Sequence, residues 1–86
     1  MNQERIGAAV TYESSQDKIY VMGGYDRDSC EYYDVNSDCW IQFASLNMKK
    51  SGSTASILDN RIIYLFGGEN NENYLDTIEQ YDIVQR

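Results

Sequence analysis

At 86 residues, with 42% hydrophobic content and a formal net charge of −7, the chain is at most one small domain with a thin core, yet too apolar for a disordered segment. The acidity argues against a nucleic-acid binder, which needs Lys and Arg clustered on one face; here Lys49 and Lys50 form the one adjacent basic pair. No stretch approaches the ~18 consecutive apolar residues of a membrane span, so no membrane contact is expected. The start, MNQERIGAAV, lacks the basic-then-apolar layout of a secretory signal, which predicts a cytoplasmic chain with its two cysteines, Cys30 and Cys39, reduced. Histidine is absent, which removes the commonest metal ligand and the commonest general base.

In chain order, the first predicted strands are GAAVTY (7–12) and KIYVMG (18–23), short and rich in β-branched and aromatic residues. EYYDV, within 29–35, and CWIQF (39–43) follow, then STASIL within 52–58, RIIYLFG around 62–67 and TIEQYDI within 76–83. Each is bounded by Gly, Asn, Asp or Ser, which tolerate turn dihedrals; proline is absent. No window of a dozen residues carries helical periodicity. A turn near residues 36–38 sets Cys39 opposite about Val35 and Cys30 opposite about Ala44. The two thiols then lie too far apart for a disulfide.

The chain says nearly the same thing twice. KIYVMGGYD (18–26) and IIYLFGGEN (62–70) superimpose at an offset of 44, with Gly23 and Gly24 meeting Gly67 and Gly68. Upstream, Gly7 and Gly52 precede these pairs by 16 and 15 residues; downstream, CEYYDV (30–35) matches IEQYDI (78–83) at an offset of 48. Length changes of one and four residues between matching segments belong to loops. A double glycine at a strand end predicts either a backbone conformation barred to other residues or the close approach of another segment.

Four short strands per repeat of about 44 residues is the period of a β-propeller blade. The ordered set of Gly23 and Gly24, Tyr33 and Trp40 resembles the kelch family, in which a double glycine closes the second strand, a tyrosine lies in the third and a tryptophan follows seven residues later. Gly67, Gly68 and Tyr81 fit the same pattern, and the second tryptophan would fall at position 88. The resemblance covers essentially the whole chain. It implies an all-β, kelch-type β-propeller fragment: one four-stranded antiparallel blade (about 5–44) plus about three strands of an incomplete second blade (about 48–86). Tyr33 and Trp40 are expected to fill the gap between neighbouring blades. Two blades leave apolar faces uncovered, so the expected partners include missing blades from a longer chain, or self-association. Residues 1–86 on their own are expected to be unstable or to associate.

The resemblance also implies a protein–protein interaction module, a scaffold or adaptor that binds a protein partner through loops at one end. Those loops are 25–29, 45–51 and 69–75. The candidate partner-binding residues are Tyr25, Asp26, Arg27, Asp28, Lys49, Lys50, Glu69, Asn70, Asn71, Glu72, Asn73 and Tyr74, since Tyr and Arg are favoured interface anchors. The alternatives are purely structural blades, or part of an enzyme of the kelch-like propeller type. Against the enzyme, copper chemistry would want imidazole ligands and a serine nucleophile would want a histidine base. No catalytic residue, metal or cofactor is expected. The oxygen-rich loop GENNENYLD (68–76) lacks the spacing of a calcium-binding hand.

Overall fold

The computed structural model describes residues 5–46, 48–70, 74–75 and 77–83. They form an all-β protein of two antiparallel sheets, and there is no helix among the described residues. The first sheet contains β1 (Ala9–Glu13), β2 (Lys18–Met22), β3 (Ser29–Asp34) and β4 (Cys39–Ser45), in the order β1-β2-β3-β4. The second contains β5 (Thr54–Leu58), β6 (Ile62–Phe66) and β7 (Ile78–Asp82), in the order β5-β6-β7. Every neighbour in a sheet is also the neighbour in sequence, the meander that tight polar turns favour.

The turns explain the length differences between the repeats. β1 and β2 are joined by four residues, 14–17, and β5 and β6 by three, 59–61, which is the one-residue change upstream of the double glycines. Asp17 (φ 54°), Asp38 (φ 55°), Asp59 (φ 54°) and Asn60 (φ 53°) take the left-handed conformation that hairpin turns require and that Asp and Asn tolerate. The same chemistry recurs at the β1–β2 and β3–β4 turns: the Tyr12 hydroxyl bonds to Asp17, and the Tyr33 hydroxyl to Asp38. Glu13, buried at the first of these turns, is satisfied there, accepting from the Ser15 N–H at 2.7 Å and the Gln16 N–H at 3.1 Å.

One register differs from expectation. Cys39 faces Asp34 rather than Val35, because the turn takes four residues, 35–38. The pairing also shifts between Ser29↔Ser45 and Glu31↔Gln42, so two residues of β4 oppose Cys30 alone, a β-bulge. Both thiols are free as expected, with Cys30 buried and Cys39 exposed.

The two sheets stack face to face. Alternation along the strands puts Ala9, Tyr20, Met22, Cys30 and Tyr32 on one face of the first sheet, where they meet Ile63 and Leu65 of the second in a single buried cluster. Phe43, Ala55, Ile57, Tyr81 and Ile83 pack around it, and Phe43 sits edge-on to Tyr20 with ring centroids 5.3 Å apart. Tyr33 and Trp40 are directly paired across β3 and β4, with rings 5.1 Å apart. They lie on the opposite, open face of the first sheet, so they do not fill the gap between the two sheets. Their partner would be a blade on the other side.

Candidate functional site

The double glycines are where the sheets meet. A Cβ at Gly23 (φ +71°) would stand 2.8 Å from the Lys50 carbonyl oxygen and 2.9 Å from Leu46 Cδ1. The linker between the sheets therefore runs directly over this strand end, held there by bonds from the Gly24 N–H to Lys50 O (2.9 Å) and from the Lys50 N–H to Arg27 O (3.3 Å). Both expected roles of the glycine, unusual backbone and close approach, hold at Gly23.

That crossing gathers three loops at one end: the β2–β3 loop, the linker and the β6–β7 loop. They surround a hollow of about 220 Å³. Tyr25 and Asp26 come from the first loop, Lys49, Lys50 and Ser51 from the linker, and Glu69 and Asn70 from the third. Tyr25 stands exposed at its rim, and the Lys49 ammonium lies 3.3 Å from Asp26 in an exposed pair. Such an exposed pair contributes little stability. Asn70 reaches Met48 Sδ through Nδ2 at 3.8 Å. The antiparallel bridges Ser51↔Glu69 and Glu69↔Tyr74 tie the linker to the third loop, leaving Tyr74 almost wholly exposed.

Of the remaining candidates, Asp28 is exposed outside the lining of the hollow, and Arg27 is half-buried, its backbone holding the linker. Asn71, Glu72 and Asn73 lie outside the described residues. Lys50 needs correction: its side chain is buried and ion-paired with Glu79, so its charge is not presented at the surface. Glu79 accepts in addition from the Tyr81 hydroxyl at 2.6 Å.

This pair has a counterpart that sequence reading passed over. Arg5 is buried against Glu31, with Nη2 at 3.0 Å from Oε2, and Arg5 Nη1 also donates to the carbonyls of Gly23 (2.8 Å) and Ser29 (2.7 Å). Arg5 and Lys50 each stand two residues before the first glycine of a repeat; Glu31 and Glu79 each stand two before its tyrosine. The sequence signal was a cation and a glutamate at fixed places in both copies. Each repeat thus clips the chain entering its first strand to its own third strand, and in doing so places the loops of the hollow.

Antiparallel meanders stacked face to face, with β1 running beside β5 and the long loops at one end, are the blades of a β-propeller. The chain belongs to the kelch-motif family, whose motif matches residues 7–47 and 51–86. It is 32% identical over 80 residues to Kelch-like protein 15 of Danio rerio, covering 80% of this chain and 13% of the relative. It is 37% identical over 56 residues to Kelch-like ECH-associated protein 1B of Danio rerio (62% and 9%) and 31% identical over 74 residues to Kelch-like protein 31 of Homo sapiens (73% and 12%). The chain therefore spans about an eighth or less of the length of these relatives.

Proposed function

We propose that the chain is a non-enzymatic protein-interaction module, the two-blade part of a kelch propeller, which docks a protein partner at its loop end and serves as a scaffold or adaptor. The observation that carries this reading is the convergence of Tyr25, Asp26, Lys49 and Asn70, from three loops of two blades, on one hollow. An exposed tyrosine beside an asparagine and an exposed charge pair is the chemistry of a protein-binding rim. The fuller propeller is suggested by relatives many times longer than the 86 residues, and the cytoplasmic placement by two free cysteines, which suit a reducing compartment.

A photoreactive residue at Tyr25 should cross-link a protein partner, whereas one at Ser37, in the turn at the opposite end of β3, should not. Tyr25→Ala should weaken that partner's binding by about tenfold. Equal cross-linking from both ends, with full binding by Tyr25→Ala, would overturn the assignment.

A further inference from the structure

The internal repeat lets each position be compared with itself in two settings. Tyr20, Met22 and Cys30 of the first blade are each 1% exposed beneath the second blade. Their repeat equivalents, fixed by the matching registers of the two sheets, are Tyr64, Phe66 and Ile78. There Phe66 is 41% and Ile78 63% exposed, with the Tyr64 and Phe66 rings stacked at 6.2 Å. Leu58 extends the same apolar face along β5.

The opposite face shows the converse. Ala55, Ile57, Ile63 and Leu65 of the second blade cover the first, and their equivalents on the first blade are Val10, Tyr12, Ile19 and Val21. Val10 is 57% and Tyr12 51% exposed, and Val10 lines an open, mostly apolar hollow with Val21 and Trp40. The glycines register the same asymmetry. A Cβ at Gly7 would stand 3.3 Å from Ser51 Cβ of the linker that enters the second blade, whereas a Cβ at the equivalent Gly52 would meet nothing within 4 Å among the described residues.

We propose that the 86-residue chain associates head to tail with further copies of itself, the Phe66 and Ile78 face of one copy seating on the Val10 and Tyr12 face of the next. The new interface repeats the one already formed between β1–β4 and β5–β7. In it the Gly68 N–H of one copy donates to Arg5 O of the next, as Gly24 donates to Lys50 O within the chain. The chain thus carries both halves of its own blade–blade contact, an apolar donor face and the receptor face that fits it. Because the two faces differ, the association is heterologous, and repeating the rotation that relates one blade of a propeller to the next would close it into a ring. Propellers close with about four to eight blades, so two-bladed copies close as two to four chains. Val10, Tyr12, Phe66 and Ile78 lie outside the lining of the loop-end hollow, so substituting them tests this association separately from partner docking.

Light scattering after gel filtration tests it. The parent chain should run as a single species of two to four chain masses. Phe66→Asp with Ile78→Asp should be monomeric, as should Val10→Asp with Tyr12→Asp. Mixing these two variants should restore a one-to-one complex, because each retains the face the other has lost. If either loses its strand signal by circular dichroism, Phe66→Ser and Val10→Ser carry the same test. A monomeric parent, a mass that grows without limit with concentration, or folded variants that fail to combine on mixing would overturn the proposal.

Discussion

Adding one methyl group at Gly23 should damage the fold more than adding the same group at Gly67. In Gly23→Ala the new carbon arrives 2.8 Å from the Lys50 carbonyl oxygen and 2.9 Å from Leu46 Cδ1. The leucine tip can rotate aside. The carbonyl cannot move freely, because it accepts from the Gly24 N–H while the Lys50 N–H is bonded to Arg27 O. The linker must therefore lift off the strand end, loosening the hollow at the same time. Left-handed backbone costs an alanine about 1–2 kcal/mol, and overpacking against a fixed neighbour adds about 1–3 kcal/mol. At Gly67 (φ +61°) the backbone cost is the same, but the nearest contact, Leu75 O at 3.4 Å, is ordinary. The expected losses are about 3 kcal/mol for Gly23→Ala and about 1.5 kcal/mol for Gly67→Ala. For a domain of this size those correspond to falls in melting temperature of roughly 15 °C and 8 °C. Urea and thermal unfolding of both variants in the monomeric Val10→Asp, Tyr12→Asp background, where no neighbouring copy covers Gly67, measure the difference. Equal losses at the two positions would refute the argument that the linker's approach, rather than the dihedral alone, selects glycine at Gly23.

The buried ion pairs make a second prediction: Glu79→Ala strands the Lys50 ammonium and should cost about 3–5 kcal/mol, while Lys50→Met combined with Glu79→Leu should recover most of it by denaturant unfolding. Recovery failing in a well-folded double variant would point to Tyr81 instead, whose hydroxyl also relies on Glu79. With thiol reagents, Cys39 should react at once and Cys30 only on unfolding; two fast thiols would contradict the buried β3 face. Burial pushes the Cys30 thiol from 9.0 up to about 12. The unfolded thiol therefore ionises first: its contribution to stability is complete below pH 9.0 and is lost as the pH rises towards about 12. Cys30→Ala should flatten that alkaline decline in a pH series of unfolding curves, and an unchanged slope would reject the assignment.

The strands were legible because their punctuation is strong. The double glycines, the Asp and Asn turns and the matching tyrosines mark strand ends whatever surrounds them, and all seven described strands fall within or beside the expected segments. Turn length was less legible: whether Val35 belongs to the strand or the turn depends on where Asp38 turns left-handed, and the wrong choice moved Cys39 by one place. The loops of the hollow could be named, since the blade geometry that the resemblance implies puts them at one end. Lys50 was misplaced because a lone lysine beside Lys49 reads as solvated. Only the folded chain brings it to Glu79, 29 residues on. The facing of Tyr33 and Trp40 was not decidable from strand alternation, which assigns residues to opposite faces without saying which face meets which blade.

The hollow, the clipped linker and the buried cluster all depend on the two blades being docked in solution as described. Through-hydrogen-bond couplings in an isotope-labelled sample read that docking directly. Docked blades should give couplings from the Gly24 amide nitrogen to the Lys50 carbonyl carbon and from the Gly52 nitrogen to the Gly7 carbonyl carbon, whose bonds are each 2.9 Å long. Couplings within β1–β4 and within β5–β7, with neither of these two present, would mean that each sheet forms but the blades do not dock, and would contradict the account.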